Sequence, residues 1–293
     1  MGAGETMTRS RHLVVITGAN RGLGKLVADR FWKVGEDLVL IARHDRDLKR
    51  VADEFASTGN PKQQVHCYAA DLADHMYIPD LIKTIRNNEG EPDILINNAA
   101  IQGPIGPFQT NNWQEWQKCI DVCLLAPVQL CQGFLPSMIK NRYGRIVNIS
   151  GGGATAPRPN FTSYATAKSG LVRFSETLAH EVSPYGITVN SVAPGAMYSE
   201  LTKNILHAGV QFTGSMELEG AITLTRNNPH NEEHAADLIY YLTTDACKSI
   251  TGKLISAVWD SWQRLPDSAS VLMESDVYTL RRITPEDRNL IIK

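Results

Sequence analysis

The chain has 293 residues, with 29 Lys+Arg against 31 Asp+Glu for a formal net charge of −2, so no bulk positive field exists to recruit nucleic acid or an anionic membrane. Its 43% hydrophobic and 20% charged residues are ordinary globular composition, and no low-complexity tract interrupts them. Five scattered cysteines (Cys67, Cys119, Cys123, Cys131 and Cys247) include no C-x-x-C and no paired Cys/His spacing, which argues against a disulfide scaffold or a zinc site and for a reducing compartment.

The chain opens on MGAGETMTRSRH, which lacks the apolar stretch of a secretory signal, and residues 1–11 are expected to be a disordered leader. A myristoylation-like start at Met1–Thr6 has no polybasic second anchor, and no later segment approaches the roughly 18 apolar residues of a membrane span. The expectation is a cytoplasmic protein with no membrane partner.

Short β-branched runs then alternate with longer amphipathic windows. The first strand, Leu13 to Thr17, runs into Thr17-Gly18-Ala19-Asn20-Arg21-Gly22-Leu23-Gly24 and a helix over 23–34. Glycines spaced G-x-x-x-G-x-G let the backbone turn sharply, and they let a pyrophosphate approach the free N–H groups at the helix start. A Walker A loop is excluded, because Gly24-Lys25 is followed by Leu26. The second strand, Asp37 to Ala42, ends in Arg43-His44 with no Asp or Glu to hold a ribose 2′-hydroxyl. Arg43, seconded by Arg21, is the candidate for a 2′-phosphate, with Asp45 and Asp47 near enough to oppose it. NADP(H) is favoured over NAD(H).

Further strands are expected at Gln64 to Ala70, Ile94 to Asn97, Arg145 to Ser150, Thr188 to Ala193 and Leu254 to Val258, with helices over 45–57, 74–89, 112–139, 161–183 and 232–244. This alternation predicts a doubly wound α/β sheet of about seven parallel strands covered by helices on both faces. With no internal repeat or linker, residues 12–262 read as one domain, and the tail 263–293 packs on the core or on a neighbouring subunit. The sequons at Asn148 and Asn160 read as chance matches.

At Tyr164-Ala165-Thr166-Ala167-Lys168, the tyrosine and lysine stand i and i+4 on one helix face. Taken with TGANRGLG at Thr17, Asp71-Leu72, Asn97-Asn98-Ala99-Ala100, GRIVNIS ending at Ser150, and Pro194-Gly195, the chain resembles the short-chain dehydrogenase/reductase family in its compact single-domain form. The resemblance runs from Leu13 to about Val258. It implies that Tyr164 is the general acid/base at a carbonyl oxygen while nicotinamide delivers hydride. It also implies that Lys168 lowers the phenol's pKa and bonds the nicotinamide ribose. It places Asp71 and Leu72 beside the adenine and Asn97 as a brace near the cofactor, with Asn98 and Ala99 in the cofactor-binding set. Ser199, behind Pro194-Gly195, stands where a threonine often bonds the carboxamide.

Two residues depart from the family pattern. The substrate-orienting Ser expected thirteen residues before Tyr164 is Gly151, so Ser150, or more weakly Thr155, has to stand in. The Asn expected in the long helix after Trp113 and Trp116 is Cys123, and a thiol lacks an amide's two donors. Residues 196–227 correspond to the family's mobile substrate cover, with Met197, Tyr198, His207, Phe212 and Met216 as a mixed lining; Trp259 and Trp262 wall the pocket or pack subunits. The expected function is an NADP(H)-dependent oxidoreductase interconverting a small-molecule ketone and a secondary alcohol, as a homodimer or homotetramer built on helices 112–139 and 161–183. The alternatives are a cofactor-binding protein without turnover, or a redox-neutral epimerase or dehydratase.

Overall fold

In a computed structural model the structure is described over residues 11–227 and 231–290; the leader expected at 1–11 lies outside them but for Arg11. Seven strands form one sheet: β1 (Leu13–Thr17), β2 (Asp37–Ala42), β3 (Val65–Ala69), β4 (Ile94–Asn97), β5 (Gly144–Ile149), β6 (Ile187–Ala193) and β7 (Leu254–Ser256). All pairs are parallel, in the order β3-β2-β1-β4-β5-β6-β7. Their runs of Val, Ile and Leu are buried on both faces, as a covered parallel sheet requires. Along β1, Val14 and Ile16 point into one core layer and Leu13 and Val15 into the other.

The helices are α1 (Gly22–Lys33), α2 (Asp45–Ala56), α3 (Ile78–Asn88), α4 (Trp113–Ile120), α5 (Ala126–Asn141), α6 (Thr162–Val182), α7 (Glu200–Ala208), α8 (Val210–Thr213), α9 (Ser215–Asn227), α10 (Asn231–Tyr241) and α11 (Ala269–Met273). Helix α1 buries Leu23, Val27 and Phe31, and α10 buries Ala235, Ala236, Leu238 and Ile239, on the same side of the sheet. On the other side α3, α5 and α6 contribute Leu81, Phe134 and Leu178.

The single helix expected over 112–139 is two helices joined by one π turn at Asp121–Leu125. That junction re-aims the side chains around Cys123 toward α6. By length and composition Trp113–Asn141 is apolar enough to cross a membrane, against the sequence expectation that no segment approaches this. Half of its apolar window is buried, and Phe134, Cys131 and Leu130 lie wholly within the core beneath the sheet. The tail beyond residue 262 packs on the core. Leu265 and Leu272 join its apolar layer, the Leu254 N–H donates to the Tyr278 carbonyl at 2.8 Å, and Lys253 Nζ donates to the Ser275 and Val277 carbonyls at 2.9 and 3.0 Å. This cover occupies the free edge of β7.

The sheet changes direction between β1 and β4, and helices leave opposite faces there. The crevice beyond the carboxyl ends of these strands is where doubly wound sheets bind ligands.

Candidate active site

A cleft of about 920 Å³ opens at that switch point. Its floor is the glycine turn. Gly18 and Gly22 have φ of +67° and +53°, and a Cβ on Gly24 would lie 2.2 Å from the Gly18 carbonyl oxygen, so only glycine permits this turn. Nothing lies within 4 Å of a Cβ position on Gly22, and α1 starts with no side-chain cap and no acidic residue in its first turn. The amide groups there are left for an anion.

The cleft is lined in part by Gly18, Asn20, Arg21, Gly22 and Leu23 from this turn, and by Arg43, Asp71 and Leu72 from the ends of the next two strands. Among the described residues no carboxylate lies within ion-pair distance of Arg43. Asp45 is held by Lys49 at 2.6 Å, and Asp47 accepts from Asn20 at 3.5 Å, so neither acid opposes the arginine. Arg21 is differently placed, because its guanidinium donates to Glu200 of α7 at 2.9 Å. Asp71 accepts from the Ala73 N–H at 3.1 Å and from Lys118 at 3.5 Å.

Thr17, Gly24 and Gly195 do not line the cleft; they support residues that do. The Thr17 hydroxyl is buried and accepts from the Asn98 and Ala99 N–H groups at 2.9 and 3.0 Å, while Asn98 Nδ2 donates to the Thr17 carbonyl at 2.9 Å. This lacing joins the ends of β1 and β4. Gly195, at φ +85°, packs so closely that a Cβ would meet Val258 at 2.4 Å, which fixes the turn after Pro194. Ser199 lines the cleft, but its hydroxyl is engaged in a capping box with Thr202 at the start of α7. As placed, that hydroxyl is committed to the helix rather than free for a carboxamide.

Tyr164 and Lys168 meet at the inner end of the cleft, from the first turns of α6. A brace sets that helix against the sheet: Asn97 Nδ2 donates to Asn148 Oδ1 at 2.8 Å, Asn148 Nδ2 donates to Ser175 Oγ at 2.8 Å, and Ser175 Oγ donates to the Leu171 carbonyl at 2.7 Å. Lys168 Nζ donates to the Ile149 carbonyl at 2.6 Å. Burial lowers its pKa, with Cys123 and Cys119 opposing. The Tyr164 phenol is pushed well above its ordinary range, first by burial and then by Cys123, while Arg158 pulls it back.

A Cβ on Gly151 would stand 2.5 Å from Tyr164 Oη. A serine here would require the phenol to shift from this position. Ser150 lines the cleft, and its buried Oγ has no hydrogen-bond partner. Thr155 is exposed on the following turn and does not line the cleft.

The Cys123 thiol meets the backbone of Ile101 and the Cys119 thiol: its Sγ accepts from the Ile101 N–H and donates to the Ile101 carbonyl, both at 3.4 Å, and it is hydrogen-bonded to Cys119. Cys119, one turn earlier, is pushed above the ordinary thiol range by its hydrogen bond to Cys123 and by burial. The same bond holds Cys123 lower, against burial and with Lys168 adding to it. A thiol thus braces the loop after β4 with one donor and one acceptor.

The cover over 196–227 contains α7, α8 and α9. His207 is exposed in the last turn of α7 and is absent from the cleft lining. Met197, Tyr198 and Leu201 line the cleft, whereas Met216 is 85% exposed. Neither expected tryptophan walls the cleft: Trp262 is buried against Tyr241 with ring centroids 5.5 Å apart, and Trp259 is exposed. Sequence reasoning missed the Ile149 carbonyl that holds Lys168, which no side-chain motif announces. It also missed Arg158, whose guanidinium lies 5.8 Å from the Tyr164 ring centroid.

A seven-stranded parallel sheet with an uncapped glycine turn at its switch point defines a dinucleotide-binding α/β protein. The chain belongs to the short chain dehydrogenase family, whose model matches residues 12–209. Among its relatives, a short chain dehydrogenase of Emericella variicolor is 29% identical over 269 residues, covering 90% of this chain and 87% of the relative. A D-beta-hydroxybutyrate dehydrogenase of Rhizobium meliloti is 30% identical over 249 residues, covering 83% and 95%. A metagenomic short-chain oxidoreductase solved in complex with NADP superposes with a TM-score of 0.67 at 26% identity, covering 84% and 96%.

Proposed function

We propose that this oxidoreductase interconverts a small-molecule ketone and a secondary alcohol with NADP(H), using Tyr164 as the proton donor in reduction. The observation that carries the reading is the convergence of Tyr164, Lys168 and the partnerless Ser150 hydroxyl at one end of a cleft whose other end is an uncapped helix start beside an unopposed Arg43. The residues present fit a dinucleotide. Gly22 leaves open space at the helix start, and Arg43 can meet a 2′-phosphate with two N–H groups at once. When bound, the nicotinamide supplies or takes the hydride.

The protein's own groups handle the proton. Tyr164 gives it from Oη to the developing alkoxide, and the Lys168 ammonium, anchored on the Ile149 carbonyl, stabilises the phenolate that remains. Ser150 Oγ is the donor left to hold the carbonyl oxygen. Cys123 steadies the loop of Ile101, in keeping with its two bonds to that residue's backbone. We further propose that the protein works in a reducing, cytoplasmic setting as a homodimer or homotetramer; its five cysteines are all unpaired, which supports the first part.

Cofactor oxidation with a panel of cyclic ketones, diketones and keto-sugars tests the reading. Wild type is expected to use NADPH in preference to NADH, and Arg43→Ala is expected to weaken NADPH about tenfold while sparing NADH. Equal use of the two cofactors, unchanged by Arg43→Ala, would remove the NADP(H) assignment.

A further inference from the structure

Arg158 follows the glycine run after β5, on the loop that leads into α6. Its Nε and Nη2 donate to the two carboxylate oxygens of Glu217 at 2.7 Å each. This bidentate pair joins the loop to the first turn of α9 in the cover. Both partners are mostly buried, with side-chain exposures of 15% and 30%. The guanidinium lies over the wholly buried Phe161 ring at 4.0 Å from its centroid and stands 5.8 Å from the Tyr164 centroid, at a distance like that of Lys168 Nζ, 5.6 Å. The glycine run packs beside it: a Cβ on Gly153 would stand 3.2 Å from Arg158 Cβ. No other residue of α9 is ion-paired among the described residues.

We infer that Arg158 and Glu217 form a positioning pair that locks α9 of the cover against the catalytic loop, and that the locked guanidinium serves as a second cation beside the reacting phenol. The seating of α9 and the proton affinity of Tyr164 are then coupled through one ion pair, beside the Arg21–Glu200 contact that ties α7 to the glycine turn. The inference rests on the assignment of Tyr164 as the proton donor. The titratable groups facing Tyr164 are Lys168 on its own helix, Cys119 and Cys123 from α4 and the π turn, and Arg158 from the loop with Glu217 behind it. Of these, Arg158 and Glu217 alone join the cover to the loop. Removing either partner opens the cover, but the two losses act oppositely on the phenol: without the guanidinium Tyr164 loses a neighbouring cation, whereas without the carboxylate that cation is no longer neutralised.

The test uses the full chain with Arg158→Met, Arg158→Lys and Glu217→Gln. Protease protection of residues 209–227 is read on NADPH-bound protein without substrate, so this arm stands even if no ketone is reduced and the reductase reading fails. Protection is expected to fall in all three variants, and KM for the carbonyl substrate to rise about fivefold with NADPH affinity unchanged. The basic limb of the pH–rate profile is expected to move up in Arg158→Met, down in Glu217→Gln, and to stay in place in Arg158→Lys, which keeps the charge without the fork. The near-isosteric Glu217→Gln keeps the test readable if Arg158→Met folds poorly. Wild-type protection in Glu217→Gln would overturn the lock, and one common pH profile in all variants would reduce the pair to a structural bridge and overturn the second cation.

Discussion

Gly151 shows how a single missing side chain bears on its neighbour. A Cβ on this residue would stand 2.5 Å from the Tyr164 hydroxyl, so a serine there requires the phenol to shift. Restoring that serine is therefore expected to harm the enzyme: Gly151→Ser should lower kcat by at least about tenfold, because the phenol must leave its position to make room. Steady-state rates with the best ketone check this, and a gain in rate would show that the phenol yields at little cost. At this scale the sequence was legible where a motif carries the chemistry. Tyr164, Lys168, Arg43 and the glycine turn all line the cleft as the pattern placed them. It was illegible where function rests on contacts between distant segments. Arg158 and Glu217 meet across 59 residues of sequence, and neither belongs to a motif.

Among the elements, α6 shows how a catalytic helix is held by both the sheet and the tail. In its first half Lys168 is tied to β5, and in its middle Ser175 and Asn148 brace it to β4 while Arg173 and Glu176 grip the tail. Glu176 Oε1 accepts from the Leu280 N–H at 2.6 Å while the carboxylate is nearly buried. Removing that acceptor strands a backbone N–H and releases the tail from the helix. Glu176→Ala is expected to cost about 1–3 kcal/mol in chemical denaturation and to expose residues 275–282 to protease. Glu176→Gln keeps the acceptor and removes the charge. Burial raises the Glu176 pKa in the fold, so the stability this carboxyl contributes is present below its unfolded value and is lost as pH rises through the folded value. Glu176→Gln should therefore gain on wild type as pH increases, and a pH-independent difference would contradict the buried-carboxyl account.

The strands were readable because a buried parallel strand is an unbroken apolar run, and all seven begin within one residue of the expected start, with β7 ending early at Ser256. The helices of the cover were not assigned. Short segments broken by Gly209 and Gly214, with few buried positions, carry no sustained helical period. The π turn at Asp121–Leu125 was equally hidden, because one extra residue in a helical turn leaves the apolar pattern almost unchanged.

For the molecule as a whole, the parallel sheet is a platform that brings three separately encoded features to one crevice: the glycine turn after β1, Arg43 after β2 and Tyr164 on α6. The cover and the tail are additions to that platform, and buried or half-buried charges help to fasten each, the tail also through the Leu254 N–H and the core leucines Leu265 and Leu272. The central claim is that this crevice reduces a carbonyl through Tyr164. It is tested most directly by single-turnover oxidation of bound NADPH under excess ketone, wild type against Tyr164→Phe, with cofactor binding measured on both. The account predicts equal NADPH affinity in the two proteins and a hydride-transfer rate at least about a hundredfold lower in the variant, the scale of a lost general acid. Equal rates in the two proteins would contradict it and would leave Tyr164 as a packing residue in a crevice whose proton comes from elsewhere.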